Sequence, residues 1–299
     1  MQYTNRLNLP KSVVNAVTRD PYDNKGTLSV TTLIKPPQMR ILELRHKDEI
    51  VEDVSDRLWS LYGQSVHHIL ERCVDDGDIA EQRIHAEIGG VRVSGQFDLL
   101  TVLRALQDFK MTSVWAIKDA LANGKKEWEQ QLNLLAVLVR KDDLMPHPKK
   151  LQIVAFAKDW RNSEMLRDFS GYPNKVEVID VPMWKPEEAM DFMEKRVLLH
   201  QSAEKGLIVE CTDEERWKKD DVWAVMKKGR KSALRLLGSE FDAVVWCVDN
   251  GHTNSAEMID GNLTGDLKTG ISIELRPGSY VRCENYCSCS EFCPQFNIR

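Results

Sequence analysis

The chain has 299 residues, 42% of them hydrophobic and 29% charged, and a formal net charge of −5 at pH 7. That length buries a substantial core as one large domain or two smaller ones, while no apolar run approaches the roughly 20 residues that span a bilayer. The opening stretch has no apolar centre of the signal-peptide kind, so a cytoplasmic protein with no membrane partner is expected; the negative balance argues against whole-molecule attraction to nucleic acid but leaves room for a local basic cleft.

In chain order, residues 1–45 are rich in Pro, Asn, Thr and Gly and read as an N-terminal arm laid over the core, partly irregular. From about Lys47 to Asp75, Val51, Val54, Leu58, Leu61, Ile69 and Leu70 recur near the helical period, and Gly63 marks a bend or a break between two helices. Arg83–Ile88, Val91–Val102 and Ala105–Met111 alternate or run apolar, with Gly89-Gly90 as a hairpin turn. Lys125–Arg140 is an amphipathic helix that becomes strongly apolar toward its end. Leu151–Ala157 and Lys175–Pro182 are further strands, and Pro186 to about Lys205 is a helix with proline in its first turn. This order predicts an α/β fold over 46–205, a small mixed sheet flanked by helices. Beyond Gly206, Trp223–Arg235 reads as a short basic hairpin and Ser239–Val248 as a helix capped by Ser239. Residues 249–272, rich in Gly, Asn, Thr and Asp, read as a loop or linker closing a basic subdomain over 206–272, and 273–299 form a cysteine-rich segment.

The chemistry concentrates in Gly95-Gln-Phe-Asp98 and Gln107-Asp108-Phe109-Lys110. On a strand, residues i and i+2 share a face, so Asp108 and Lys110 point the same way while Phe109 faces a core. Asp98 lies on the preceding strand, and pairing of the two strands brings the carboxylates together. Hard oxygen ligands of this kind hold Mg2+ with positions left for water and a phosphate oxygen. The ion polarises a phosphoryl group and helps generate the attacking hydroxide, and a neighbouring lysine stabilises the charge that builds up. A bare D…D-x-K match is short and suits ordinary surface charges equally well, so its surroundings decide.

Upstream stand Gly63-Gln-Ser-Val-His67-His68, Glu87 lies on the strand entering the hairpin, and the amphipathic helix carries Gln131-Leu-Asn-Leu-Leu135. The order G-xxx-H…E…G-xx-D…D-x-K…Q resembles the RecB-like branch of the PD-(D/E)XK nucleases, which includes CRISPR-associated RecB-type nucleases and phage recombination exonucleases. The resemblance implies a restriction-endonuclease-like core and a Mg2+- or Mn2+-dependent deoxyribonuclease. It further implies an exonuclease acting on linear or single-stranded DNA in recombination or phage DNA processing. A single-strand annealing or recombination protein is the implied partner, and oligomerisation stays open. By position, the resemblance makes His67, Asp98 and Asp108 metal ligands, Lys110 the catalytic lysine, Glu87 an acidic assistant and Gln131 the glutamine of a Q-xxx-Y helix motif. His67 is preferred over His68 because it falls four residues after Gly63, and Leu135 stands where the motif has tyrosine. The alternative is a catalytically silent DNA-binding recombination partner on the same fold, which Leu135 favours and the intact Asp98, Asp108 and Lys110 oppose.

Of seven cysteines, Cys73, Cys211 and Cys247 are scattered, whereas Cys283, Cys287, Cys289 and Cys293 cluster near the C-terminus. In a chain without a secretory signal such a cluster reads as a metal or iron–sulfur site before it reads as disulfides; four unligated thiols are the plainer alternative. The terminal C-x5-C-P resembles the iron–sulfur segment of RecB-like nucleases, implying a structural [4Fe–4S] cluster, with Zn2+ as the competitor. That family draws one ligand from upstream of the histidine helix, so either Cys289 locally or Cys73 from a distance supplies the fourth. Lys227, Lys228, Arg230 and Lys231 sit on the tip of the basic hairpin near Trp217 and Trp223. Cations there suit phosphates and the rings suit bases of single-stranded DNA, although packing in a small subdomain explains the tryptophans equally.

Overall fold

The computed structural model describes residues 2–19, 28–168, 171–259 and 262–297, and the chain divides into two units, Met1–Glu210 and Cys211–Arg299. The first unit opens with β1 (Gln2–Thr4), α1 (Lys11–Thr18), β2 (Leu28–Ser29), α2 (Val30–Leu33), α3 (Pro37–Arg45) and β3 (Val51–Asp53). The arm is therefore more regular than its composition implies. Ser29 caps α2 by accepting from the Thr32 amide, and Pro37, with its φ already helical, starts α3. β1 pairs in parallel with β3, and buried Asp53 ties them together. Its carboxylate accepts from the Thr4 hydroxyl at 2.6 Å, the Arg6 amide at 2.9 Å and the Ser55 amide at 3.0 Å. The helix expected from Lys47 accordingly starts only at α4 (Leu58–Leu70), because Val51–Asp53 is committed to that pairing; Gly63 lies inside one continuous helix.

Next come β4 (Ile79–Ala80), β5 (Arg83–Ile88), β6 (Val91–Gln96), β7 (Leu99–Leu100), β8 (Ala105–Thr112), α5 (Val114–Asn123) and α6 (Lys126–Lys141). The unit closes with β9 (Lys150–Ala157), α7 (Asn162–Arg167), β10 (Val176–Val181) and α8 (Pro186–Glu204). Gly89 and Gly90 have φ of 55° and 74°, the left-handed pair that a two-residue hairpin turn requires. The strand expected over Val91–Val102 breaks at Phe97-Asp98 and serves two sheets. β6 sits centrally in a three-stranded sheet ordered β2-β6-β5, and β7 belongs to a five-stranded sheet ordered β10-β9-β8-β7-β4. Within the latter only β8 and β9 run parallel, joined through α5 and α6, so the sheet is mixed.

Helix α6 explains its own composition. It packs against strands of both sheets and against α8, and Leu132 through Val139 are all buried, as a helix enclosed on every side demands. Gly95 on β6 makes the approach possible: a Cβ there would stand 2.6 Å from Leu135 Cδ2 and 2.8 Å from Leu138 Cδ1.

The second unit contains β11 (Lys218–Lys219), β12 (Val222–Lys227), β13 (Arg235–Leu237), α9 (Glu240–Asp249), β14 (Thr253–Ile259), β15 (Asn262–Leu267), β16 (Ile271–Arg276), β17 (Ser279–Tyr280), α10 (Val281–Asn285) and α11 (Pro294–Asn297). The basic hairpin is β12 paired with β13, and Ser239 caps α9. The linker expected over 249–272 is instead largely strand. β14 pairs with β15, and β16 joins β12 as a third strand. Pairing partners override the weak strand propensity of Asn, Gly and Asp here, and Ile271 and Ile273 pack on the buried Val225, Ala243 and Cys247. Among the described residues no helix is long and apolar enough to cross a membrane.

Candidate active site

The break at Phe97-Asp98 positions the first carboxylate. Asp98 leaves β6, is buried, and accepts a hydrogen bond from the Phe109 amide through Oδ2, which fastens it to the middle of β8. Its other oxygen lies 3.3 Å from Nδ1 of His67. Helix α4 supplies that histidine, whose ring packs edge-on against Phe109 at 5.9 Å between centroids. His67 Nε2 donates to the Phe109 carbonyl at 3.1 Å.

A third group joins them. Glu81, just before β5 and itself at a left-handed φ of 48°, places Oε1 3.2 Å from His67 Nδ1. Gln96 donates to Glu81 Oε2 at 2.6 Å and accepts from Arg83 at 2.9 Å, so the glutamate is held from both sides. Hydrogen bonds donated to Asp98 and then Glu81 outweigh burial and push the His67 imidazole up to about 10. Burial opposes ionisation of Glu81, yet its bonds to His67 and Gln96 hold the carboxyl below its ordinary value.

Asp108 and Lys110 project from β8 on one face. Asp108 is buried, and burial raises its carboxyl while the Lys110 charge opposes the shift. Gln131 of α6 donates to Asp108 Oδ1 at 2.6 Å and accepts from Lys110 Nζ at 3.1 Å. Lys110 Nζ donates to Asp108 Oδ1 at 3.1 Å and lies 2.8 Å from Oδ2, which is buried and accepts no hydrogen bond.

His67, Glu81, Asp98, Asp108, Lys110 and Gln131 all line one cleft of about 290 Å³, with Leu135 beside them. The His67, Glu81 and Asp98 donor atoms lie within 4.8 Å of one another. A divalent cation fits this set on two observations. Neutral His67, with Nε2–H fixed on a carbonyl, turns the Nδ1 lone pair toward both carboxylates, and buried Asp108 Oδ2 accepts no hydrogen bond although the Lys110 ammonium lies beside it. Imidazole and carboxylate together suit Mn2+ at least as well as Mg2+.

The structure thus brings five of the six candidate site residues singled out from sequence into one cleft. Glu87 is exposed on β5, opposite Arg92 and beside the Gly89-Gly90 turn, and does not line the cleft. Glu81 is the carboxylate that lies in the cleft beside His67 and Asp98, and the signal for it was in the turn. With Ile88 paired to Val91, counting seven residues back from Ile88 and seven forward from Val91 sets Glu81 opposite Asp98.

In the second unit, Lys227, Lys228, Arg230 and Lys231 are exposed on the β12–β13 turn. The neighbouring tryptophans pack elsewhere: Trp223 against the Val225 core, and Trp217 edge-on to Tyr286 with the Arg282 guanidinium 4.2 Å over its ring. The cysteine segment gathers a residue that spacing did not reveal. Both amide oxygen and nitrogen of Gln295 clamp the Cys211 backbone, at 2.9 and 2.8 Å. Burial first, then Glu215 and the thiols of Cys293, Cys283 and Cys287, push the Cys211 thiol up to about 12. Cys287 and Cys289 sulfurs lie 3.5 Å apart, whereas Cys73 is exposed in the first unit. Among the described residues no three cysteine sulfurs fall within 4.8 Å of one another. That is more open than the shell of tetrahedral zinc, whose bonds of about 2.3 Å bring sulfurs to about 3.8 Å.

No family model and no curated protein matches the chain. Among solved structures it is similar to SSO0001, at 14% identity and a TM-score of 0.42 over 63% of this chain and 82% of that one. It is also similar to an alkaline exonuclease (LHK-Exo) from Laribacter hongkongensis, at 10% identity and a TM-score of 0.32 over 60% of this chain and 93% of that one. Likenesses this distant carry no argument about chemistry, which rests on the cleft itself: one imidazole, three carboxylates, an ammonium and an amide gathered on a mixed α/β scaffold.

Proposed function

We propose that the chain is a divalent-metal-dependent DNA nuclease of the PD-(D/E)XK kind, an exonuclease acting on linear or single-stranded DNA in recombination or phage DNA processing. One observation carries the reading: the His67, Glu81 and Asp98 donors share a cleft with buried Asp108 and the Lys110 ammonium. Mg2+ or Mn2+ held by His67, Glu81 and Asp98, with the Asp108 carboxylate beside them in the cleft, would supply Lewis acidity toward the scissile phosphate. Lys110 offsets the negative charge that grows on the phosphate oxygens. Gln131 holds Lys110 and Asp108 in register without adding charge of its own. Asp98, fixed on the Phe109 amide, keeps the carboxylates from rotating away from His67.

The exposed Lys227–Lys231 turn is assigned to phosphate contacts. The thiols around Cys211 are assigned to a soft-metal site of structural role, an iron–sulfur cluster in preference to zinc.

Time-resolved cleavage of end-labelled linear and circular DNA with Mg2+, Mn2+ or EDTA tests the reading. Metal-dependent loss of linear DNA alone is expected, slowed by about 10²- to 10³-fold in Lys110→Ala. Intact DNA under every condition sinks it. A silent DNA-binding protein on the same fold is the second reading. Leu135 favours it, since a buried leucine against Gly95 offers the cleft no hydroxyl; DNA retention without cleavage would then be the outcome.

A further inference from the structure

Helix α4 buries none of its 13 residues. Its first half exposes Trp59 and Tyr62, each 58% accessible, with ring centroids 5.5 Å apart and planes tilted by 37°. Lys158, exposed just past β9, holds its ammonium 4.1 Å from the Trp59 ring centroid. The Lys158 amide donates to the Thr112 carbonyl at 2.9 Å, so this lysine is fixed to the end of the strand that carries Asp108 and Lys110. Beyond it, the Lys175 ammonium stands 4.9 Å over Trp160, repeating the ring-and-cation pairing.

The same helix leads from the rings to the cleft. Trp59, Gly63 and His67 follow at i, i+4 and i+8 along one face, about 12 Å from first to last along the axis. The space over Gly63 is open, since a Cβ there would meet nothing within 4 Å.

We propose that Trp59, Tyr62 and Lys158 form a base-stacking platform for single-stranded DNA, whose backbone then runs past Gly63 toward His67. The direction of that path rests on the nuclease reading; the platform itself rests on the rings and their cation. Bases present π-faces only when unstacked, so exposed rings select single strands, and adjacent ammonium groups take up the phosphates. An isologous contact between two copies through this face would bury both copies' Lys158 in one interface, whereas a polyanion complements that charge.

The experiment uses the full chain carrying Asp108→Asn, so that DNA survives, and follows the anisotropy of labelled oligothymidylate and of a duplex. Adding Trp59→Ala and Tyr62→Ala is expected to weaken oligothymidylate binding by about 10-fold or more and to leave duplex binding unchanged. Phe at both positions should retain single-strand binding, which separates ring loss from misfolding. Equal oligothymidylate affinity in the Ala variant overturns the proposal. So does a smaller sedimenting species with unchanged DNA binding, which would make this face a contact between copies. Hydrolysis of bis(4-nitrophenyl) phosphate with Mn2+ by the otherwise unaltered chain, a substrate too small to reach the rings, reports on the cleft separately. If that hydrolysis is absent while oligothymidylate binding still depends on Trp59, the nuclease reading fails and the platform stands.

Discussion

Glu81 stands directly across the hairpin from Asp98, its amide donating to the Asp98 carbonyl at 3.0 Å. Both side chains reach the same nitrogen of His67, at 3.2 and 3.3 Å, so the backbone pairing sets the spacing of the two carboxylates. Their substitutions should differ in severity. Asp98 also anchors the Phe109 amide, so Asp98→Ala, which removes that acceptor, should lower kcat/KM by about 10²- to 10³-fold. Glu81→Gln keeps its Gln96 neighbour and should lose about 10- to 100-fold. Equal losses in both variants would mean that the Phe109 contact contributes nothing.

His67 makes metal uptake pH-dependent. Its imidazole is held near 10 by Asp98 and Glu81, against an ordinary value of 6.5, and a metal must displace that proton. Mn2+ affinity should therefore rise with pH across this interval, with proton release on binding measured by calorimetry in buffers of different ionisation enthalpy. The metal-free protein should behave oppositely. A histidine whose folded value is raised contributes stability that is complete below 6.5 and is lost as pH climbs through 10. The thermal midpoint should fall over that window, and His67→Asn should flatten the decline.

Gly95 is a packing requirement. Leu135 and Leu138, whose tips a new Cβ would strike, are themselves buried in α6. Gly95→Ala should cost about 1–3 kcal/mol in urea unfolding through overpacking. A change within about 0.5 kcal/mol would show that the leucines yield at little expense.

The cysteines give a chemical test that needs no DNA. Cys211, pushed up to about 12, is almost wholly thiol at mildly alkaline pH and should resist iodoacetamide, while exposed Cys73 reacts. Mass mapping of alkylated peptides reads this directly. In protein purified with a bound soft metal, Cys211→Ser should lower the metal content as much as Cys293→Ser does, and Cys73→Ser should leave it unchanged.

Sequence pattern carried the first unit further than the second. The strand alternation of Asp108 and Lys110, the two-glycine turn and the apolar end of α6 are local signals, and each survives in the fold. Glu81 was legible only by counting register from that turn, because Glu87, on the strand that follows it, looks equivalent until pairing is fixed. Val51–Asp53 imitated a helical period while belonging to a strand pair held by Thr4 and Arg6, contacts about fifty residues apart that no local window contains. Cys211 shares no motif with the C-terminal cysteines, and the fold closes that distance with Gln295 on the Cys211 backbone. The strands of 253–276 draw on pairing partners, and a composition of Asn, Gly and Thr conceals them.

Gln131 has one further consequence. Its amide gives a proton to a carboxylate with one atom and takes one from an ammonium with the other, so its orientation is dictated by which neighbour is negative and which is positive. Glutamate in its place would be nearly the same shape but electrically wrong, repelling Asp108, and leucine would fit the helix but take one hydrogen bond from each member of the Asp108–Lys110 pair. The side chain thus acts as a compass set by the two ions it joins, and it turns only if their protonation changes.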